Sequence, residues 1–310
     1  MLYLTPFDVS PHTGLRNKGA CPRRYEGVSH NPAVDLPTPT CILSLPMYPF
    51  LNLGSFQLPT FGLMIACAML AAFFLLRADF TRRGLGGTSD SSTAELFIAI
   101  PSVAGIIGAR LYHVLESPRE LLANPWGELF SRYGLAWFGG LIVGALAWIL
   151  VARWQNIPLL ASLDAGSPAA ALGYGVGRIG CLLAGDGDYG VPTSLPWGMS
   201  FPNGLVPTDQ RVHPTPIYEF LVALLIAWIL WRIGSRQISL GSGNARALFP
   251  SGSVFASYLL LTGLSRFLVE FIRINPRSFL GMTNAQAASV GSILVGGYLF
   301  WKLRAEQTLK

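Results

Sequence analysis

Long apolar blocks separated by short polar segments dominate the hydrophobic pattern of this chain. Each block approaches the roughly 20 residues that an α-helix needs to cross a bilayer. Lipid cannot satisfy the unpaired edges of an open β-sheet, so the blocks predict helices. The predicted helices cover about Leu58–Leu76, Ala94–Leu115, Leu135–Ala152, the stretch around Gly173–Gly190, Ile217–Trp231, Ser253–Phe271 and Ala287–Leu303. The predicted fold class is therefore all-α, a polytopic membrane protein with about seven transmembrane helices.

The polar segments define two regions. Residues 1–46 are rich in Pro, Asn, Arg and Ser and lack the apolar core of a signal peptide. We expect a disordered extension, or one that comes from a mis-assigned start, because the membrane-protein pattern begins at Met47. Residues 47–310 form the predicted transmembrane domain. Within it, the polar connection 185–215 lies between helices 4 and 5.

Lys and Arg residues set the predicted orientation, since cytoplasmic loops carry an excess of them. One side of the predicted membrane holds Arg77, Arg82, Arg83, Arg153, Arg232, Arg236, Arg246, Lys302, Arg304 and Lys310, and the other holds Arg119, Arg132, Arg211, Arg273 and Arg277. The richer side is predicted to be cytoplasmic. The start of helix 1 and the connection 185–215 then face outward, and the C-terminus faces the cytoplasm.

Composition agrees with a membrane protein and excludes other classes. The chain is 51% hydrophobic and 12% charged, with a mean hydropathy of +0.46, whereas a soluble domain carries about 25% charged residues. The pI near 9.3 does not indicate nucleic acid, because the cations are scattered over loop ends. Four cysteines without a C-x-x-C spacing and four dispersed histidines indicate neither a disulfide framework nor a metal site. We therefore expect no cofactor.

Three arginines lie inside the predicted helices and are the candidate chemistry. Placing a guanidinium at bilayer depth costs roughly 2.5–3.5 kcal/mol, so it persists where it has a partner or a substrate. Arg178 lies among Gly173, Gly175, Gly177 and Gly180, which let another helix or a lipid head group approach. An anion such as a lipid phosphate fits this arrangement best. Arg266 and Glu270 are spaced to form a structural pair on one helix face, and for Arg110 packing and function are equally good explanations.

Polar residues near these helices have both structural and functional explanations. Asp186 and Asp188 follow Arg178 within a Gly-rich turn, where they are either turn residues or part of a coupled site. Phe138-Gly139-Gly140 is explained by ordinary helix packing. His213, next to Pro214, is typical of a side chain that anchors a loop. Tyr218 and Glu219 lie near a helix start, where a tyrosine is typical of an interface anchor and a glutamate of a helix cap.

The sequence resembles the prolipoprotein diacylglyceryl transferases of the bacterial inner membrane from about Gly54 to Leu303. The motifs that carry the resemblance are Phe61-Gly62-Leu63, Gly108-Ala109-Arg110, Phe138 to Ile142 (FGGLI), Gly177-Arg178-Ile179-Gly180, His213 to Glu219 (HPTPIYE) and Arg266 to Arg273 (RFLVEFIR). Their order and spacing together are highly specific. Members of this family have seven membrane helices and an outward N-terminus.

The resemblance implies a transferase that moves a diacylglyceryl group from phosphatidylglycerol to the lipobox cysteine thiol of a prolipoprotein and releases glycerol phosphate. It implies that Arg178 and Arg266 hold the head group, that Glu270 orients Arg266, and that Asp186 takes the place of a family glutamate. The expected catalytic residues are Arg178, Arg266 and Asp186, and the expected phosphatidylglycerol-binding residues are Arg178, Arg266, Arg110, Gly139, Gly140, Glu270, Tyr218 and Cys181. The resemblance also implies the partners: phosphatidylglycerol, the prolipoprotein signal peptide with its lipobox cysteine, and membrane lipids.

The chain departs from the family pattern at several polar positions. Phe138 stands where a histidine is common, and Cys181 where an asparagine is common. Phe61 and Thr262 replace tyrosines, and one extra residue lies between Arg178 and Gly190. These losses leave two alternatives: a lipid-binding protein without catalysis, and a transporter of an anionic solute. Against the transporter, the helices show no inverted repeat.

Overall fold

The computed structural model describes residues 43–44, 48–54, 56–85, 90–116, 118–130, 136–241, 249–277 and 281–308. Nine helices occur in these ranges: α1 Thr60–Arg83, α2 Asp90–Glu116, α3 Pro118–Ala123, α4 Pro125–Phe130, α5 Trp137–Trp154, α6 Leu159–Ala184, α7 Thr215–Gly241, α8 Ser253–Val269 and α9 Asn284–Thr308. Helices α3 and α4 are the short pieces between Pro118 and the start of α5. The remaining seven helices correspond one by one to the seven predicted helices.

The length and composition of the helices make this a multi-pass membrane protein. Among the described residues, four segments are long and apolar enough to cross a membrane: Thr60–Arg83, Thr93–Glu116, Trp137–Trp154 and Thr215–Ile238. Helix α8 is apolar but shorter. The all-α membrane fold is thus confirmed, while the count of seven membrane crossings stays a prediction.

Two helices are longer than their apolar blocks predict. Helix α6 begins at Leu159, well before the glycine-rich stretch, and α7 continues to Gly241. The predicted end of the fifth helix at Trp231 is therefore wrong. Polar residues extend both helices, because their side chains find partners on neighbouring helices at that end of the molecule.

The polar end of α6 caps the start of α8. The Asp164 carboxylate is fully buried and accepts the backbone N–H groups of Gly252 and Phe255 at 2.7 and 2.8 Å. It also accepts the side-chain amide of Gln237 on α7 at 2.9 Å. Gln237 in turn accepts a hydrogen bond from Arg83 of α1 at 2.8 Å. This chain of contacts joins α1, α6, α7 and α8 at one end.

Glycines allow close approach between the helices. A Cβ on Gly139 of α5 would lie 2.3 Å from the carbonyl oxygen of Gly108 on α2. On α6, a Cβ on Gly175 would meet Ala223 of α7 at 3.0 Å, and one on Gly180 would meet Met64 of α1 at 3.0 Å. Gly139 therefore packs directly against α2, and its predicted contact with phosphatidylglycerol stays a prediction. Gly175 and Gly180 likewise pack against neighbouring helices, whereas a Cβ on Gly177 would have its nearest neighbour only at 3.9 Å.

Short strands lie outside the helices and were not predicted. Strand β1 (Leu43–Ser44) pairs in parallel with β4 (Met199–Phe201), which pairs antiparallel with β5 (Thr208–Val212). A second pair, β2 (Phe50–Leu53) and β3 (Phe56–Pro59), leads into α1. Segment 185–215 is therefore a folded unit. Its small core, formed by Tyr189, Met199, Phe201 and Val212, packs against Leu182 at the end of α6. The prediction for residues 1–46 falls outside the described residues except at β1.

Candidate functional site

Arg178 lies near the end of α6 and is the first component of the site. Its side chain is 14% exposed. Its guanidinium forms an ion pair with the carboxylate of Asp188, and its Nε atom lies 3.2 Å from Oε2 of Glu219. The ring of Tyr174, one turn earlier, lies beneath the guanidinium, whose Nε donates to the Tyr174 hydroxyl at 3.1 Å. The predicted intramembrane arginine is thus paired on three sides.

Helix α8 brings the second predicted arginine to the same carboxylate. Nη1 of Arg266 lies 3.0 Å from Oε1 of Glu219, so Glu219 bridges Arg178 and Arg266. Nη2 of Arg266 lies 3.0 Å from Oε2 of Glu270, the residue four positions later. Asn275 donates to the other oxygen of Glu270 at 2.6 Å. Glu270 is therefore a structural partner of Arg266, as the i, i+4 spacing predicts.

Arg273 completes the group. It is buried, forms an ion pair with Asp188, and places Nη1 3.3 Å from Glu219 and Nε 3.9 Å from Glu270. We call the six residues Arg178, Arg266, Arg273, Asp188, Glu219 and Glu270 the arginine–carboxylate cluster. It combines three cationic and three anionic side chains, so its formal charges balance when all six are ionised.

A glycine-rich turn places Asp188 in the cluster. Helix α6 ends because Gly185 adopts a left-handed conformation (φ 59°), and Gly187 has φ 91°. Gly190 then packs so closely that a Cβ would lie 2.5 Å from the carbonyl oxygen of Ile272, and Val191 donates to that oxygen at 2.8 Å. The turn is thereby tied to the backbone next to Arg273.

Asp186 and Asp188 have opposite electrostatic environments. Burial raises the pKa of Asp186, and the neighbouring charge of Asp188 raises it further. Burial also acts to raise the pKa of Asp188, but the charges and hydrogen bonds of Arg273 and Arg178 outweigh it, so the pKa lies below its usual value. Asp186 accepts the backbone N–H of Asp188 at 3.2 Å. Asp188 is therefore a fixed anion, and Asp186 is the carboxyl better suited to take up a proton.

Cys181 connects Asp186 with Arg178. It is buried one turn after Arg178, whose Nη1 lies 3.4 Å from its Sγ atom. Its Sγ atom also lies within 4.8 Å of a carboxylate oxygen of Asp186. The ligand atoms of Cys181, Asp186 and Asp188 all lie within 4.8 Å of one another. Two guanidinium groups already neutralise Asp188, and their positive field opposes a metal cation at this position.

Three other predicted binding residues lie on α2 and α5. Arg110 lies on α2, where the preceding Ala109 accepts the backbone N–H of Ala136 at the start of α5. Gly139 and Gly140 pack against that same stretch of α2. These three residues therefore belong to the α2–α5 pair.

Tyr218 lies beside Glu219 in the sequence but contacts the 185–215 unit. Its hydroxyl accepts from Nε1 of Trp197 at 2.8 Å and lies 3.2 Å from Nδ1 of His213. The three side chains connect the start of α7 to the 185–215 unit. Tyr218 and His213 therefore join the start of α7 to this unit, and the predicted contact of Tyr218 with phosphatidylglycerol stays a prediction.

Three members of the site were missed or placed differently by the sequence analysis. Arg273 was counted as a loop cation, Glu219 was considered a helix cap, and Tyr174 was not considered. Tyr174 donates to Oε1 of Glu219 at 2.6 Å. The spacing of Tyr174 and Arg178 at i, i+4 on α6 was an available signal for Tyr174. Arg273 lies beyond the end of α8 at Val269, so helical spacing gave no signal for it.

The site's chemistry is that of anion binding. Arg178 and Arg266 come from different helices and converge on one carboxylate, and paired guanidinium groups are well suited to phosphate. Arg266 is 25% exposed at its side chain and Asp188 29%, whereas Arg273 and Glu219 are 4% and 2% exposed. Access to the cluster is therefore from the side of Arg266 and Asp188.

The chain is similar to known proteins over most of its length. The family model of prolipoprotein diacylglyceryl transferase matches residues 49–302. A phosphatidylglycerol–prolipoprotein diacylglyceryl transferase of Clostridium tetani is 33% identical over 77% of this chain and 91% of its own length. A protein of the same name from Geobacter sulfurreducens is 34% identical over 79% of this chain and 88% of its own length. Another, from Bordetella avium, is 32% identical over 83% of this chain and 94% of its own length.

Proposed function

Because the chain belongs to the prolipoprotein diacylglyceryl transferase family, we propose that it transfers the diacylglyceryl group of phosphatidylglycerol to the lipobox cysteine of prolipoproteins. The cysteine sulfur forms a bond to the glyceryl carbon, and the bond between that carbon and the phosphate oxygen breaks. Glycerol phosphate leaves with the electron pair. The thiol proton passes to a base.

The convergence of Arg178 and Arg266 on one carboxylate carries this proposal. Two guanidinium groups within 3.2 Å and 3.0 Å of the same acid are spaced to hold two oxygens of a phosphodiester. They also stabilise the negative charge that develops on the leaving phosphate, an interaction that strengthens as the reaction proceeds. Glu270 and Asn275 fix the position of Arg266 for this task.

Asp186 is the proposed base for the acceptor thiol. A thiol with a pKa of about 8.5 is only partly ionised at neutral pH, so its attack needs a base or a positive field. Asp186 lies close to Arg178 in the turn, and its pKa is raised by burial and by Asp188. Asp188 is held by two arginines and is less suited to accept a proton. Phe138 is 48% exposed at the start of α5 and has no basic atom.

The proposed location is the bacterial inner membrane. The charge distribution predicts an N-terminus outside the cytoplasm and a C-terminus within it. The 185–215 unit then covers the outward side of the cluster, where a prolipoprotein signal peptide with its lipobox cysteine arrives. The remaining proposed lipid contacts, Arg110, Gly139, Gly140, Tyr218 and Cys181, are predictions from the resemblance.

A transfer assay tests the function. Membranes containing the chain are incubated with phosphatidylglycerol and a lipobox peptide, and the peptide is analysed by mass spectrometry. The expected result is a mass gain of one diacylglyceryl group on the cysteine. No gain with lipid still bound supports the lipid-binding alternative, and uptake of an anionic solute into sealed vesicles without a gain supports the transporter. A peptide with the lipobox cysteine replaced by serine is the control.

A further inference from the structure

Glu219 occupies the position that the proposed function gives to a phosphate. Its two oxygens lie between Arg178 and Arg266, at 3.2 and 3.0 Å from their nitrogen atoms. A carboxylate and a phosphodiester each carry one negative charge and present two oxygens to guanidinium groups. Among the described residues, Glu219 is also the acid that pairs with all three cluster arginines.

The charge balance of the cluster makes simple addition of a lipid phosphate costly. Three arginines already face Asp188, Glu219 and Glu270, so one further anion leaves an uncompensated negative charge. The Glu219 and Glu270 side chains are at most 2% exposed, and an unpaired charge in such a place is expensive. Exchange of one anion for another avoids this cost.

Glu219 has partners that allow such an exchange. Besides Arg178 and Arg266, two groups contact Glu219: Nη1 of Arg273 lies 3.3 Å from Oε2, and the Tyr174 hydroxyl donates to Oε1 at 2.6 Å. These two contacts remain available if Glu219 releases Arg178 and Arg266. Asp188 does not lie between Arg178 and Arg266, because its two partners are Arg178 and Arg273.

From this geometry we infer that Glu219 is an internal anion that holds the phosphate site of the resting protein, and that phosphatidylglycerol must displace it. The inference rests on the proposed function of Arg178 and Arg266. Glu219 keeps the arginines positioned while the site has no lipid. It also returns to them when glycerol phosphate leaves, which assists product release. Its role is that of a positioning residue.

Lipid binding by Glu219→Gln tests the inference. The probe is dioctanoyl phosphatidylglycerol titrated into purified full-length protein in detergent, with dioctanoylglycerol as the ligand without phosphate. Glutamine keeps the size of the side chain and removes its charge, so we expect the Kd for dioctanoyl phosphatidylglycerol to fall about tenfold. Binding of dioctanoylglycerol should not change. A purely structural role for Glu219 would give weaker binding.

Asp188→Asn is the matched control, because it removes the same charge from the same cluster without touching Arg266. Its Kd should change by less than about threefold. Equal tightening in both variants would show that net charge alone governs affinity and would overturn the inference. An unchanged or higher Kd in Glu219→Gln would also overturn it.

If Glu219→Gln does not fold, a second variant, Glu219→Asp, still tests the inference. Glu219→Asp keeps the charge but shortens its reach, so it should compete less well with phosphate and lower the Kd about threefold. Weaker binding in a folded Glu219→Asp protein contradicts the inference. Because binding is measured without an acceptor peptide, these results stand apart from the transfer assay. Tighter binding by Glu219→Gln together with no transfer by the unmodified protein would reject the proposed function and retain the exchange.

Discussion

The Asp188 carboxylate forms an ion pair with Arg178, ten residues before it in the chain. Asp186, which lies closer to Arg178 in sequence, accepts the backbone N–H of Asp188 at 3.2 Å. The turn between Gly185 and Gly190 therefore assigns the two acids different tasks. Asp188 balances two arginines, and Asp186 retains a carboxyl with a raised pKa.

The first prediction concerns the two arginines that meet at Glu219. Arg178→Ala and Arg266→Ala should each reduce transfer at least about 100-fold, because each removes a charge-assisted contact to the leaving phosphate. Arg→Lys should restore little, since an ammonium cannot present a planar pair of donors. Transfer is measured by mass gain on a lipobox peptide, and the amount of membrane-inserted protein is measured alongside. Near-normal turnover would make the arginine in question a purely structural residue.

The second prediction compares the candidate bases. Asp186→Asn should lose far more activity than His213→Ala, because, among the described residues, the His213 ring contacts the Tyr218 hydroxyl and no member of the arginine–carboxylate cluster. Phe138→His should gain little. The carboxylate form of Asp186 is the active base, and its pKa is raised, so the rate of the unmodified protein should rise with pH through that pKa. This rise should be absent in Asp186→Asn.

The pH–rate profile of each variant decides the comparison. A collapse of activity in His213→Ala alone would identify that histidine as the base and leave Asp186 as a turn residue. A profile of Asp186→Asn that parallels the unmodified protein would likewise contradict the assignment.

The third prediction places the 185–215 unit outside the cytoplasm. Ser194 is exposed in this unit, so Ser194→Cys in intact cells should react with a membrane-impermeant thiol reagent. Ser251→Cys, at the opposite end of the helices just before α8, is the matched control and should react only after permeabilisation. The reverse pattern would invert the topology and with it the side on which the lipobox cysteine arrives.

A fourth prediction separates packing from substrate binding at Gly139. Gly139→Ala should lower the stability of the protein by about 2–3 kcal/mol, because the new Cβ would lie 2.3 Å from the Gly108 carbonyl oxygen. Gly291→Ala on α9 meets no atom within 4 Å and should have little effect. Thermal unfolding in detergent measures both variants. Lost lipid affinity at unchanged stability in Gly139→Ala would instead indicate a direct contact with substrate.

The fifth prediction concerns the buried cap of α8. Asp164→Ala leaves the N–H groups of Gly252 and Phe255 and the amide of Gln237 without their acceptor. The expected loss of stability is about 2–3 kcal/mol. Asp209→Ala removes an exposed acid from β5 and serves as the control. Equal unfolding temperatures for the two variants would exclude a stabilising role for Asp164.

Local pattern was enough to predict the helices and part of the site. Block length predicted the apolar helices α1, α2 and α5, because spanning a bilayer requires a run of apolar residues that is visible in the sequence. The i, i+4 spacing of Arg266 and Glu270 predicted their pairing, since helix geometry alone places them side by side. The order of the motifs carried the resemblance to the transferase family, which the relatives of known name confirm.

Only the tertiary structure decided which residues share the site. Glu219 and Arg273 join Arg178 through contacts between α6, α7 and the segment after α8, and no local pattern encodes which helices become neighbours. For the same reason, the sequence did not show that α2, which carries Arg110, packs against Gly139 and Gly140 of α5. Asp186 and Asp188 are two residues apart in one turn, and the left-handed glycines and the pairing of Gly190 with Arg273 determine which acid faces the arginines. The chain itself specified the helices and their charges, whereas long-range packing selected the partners of those charges.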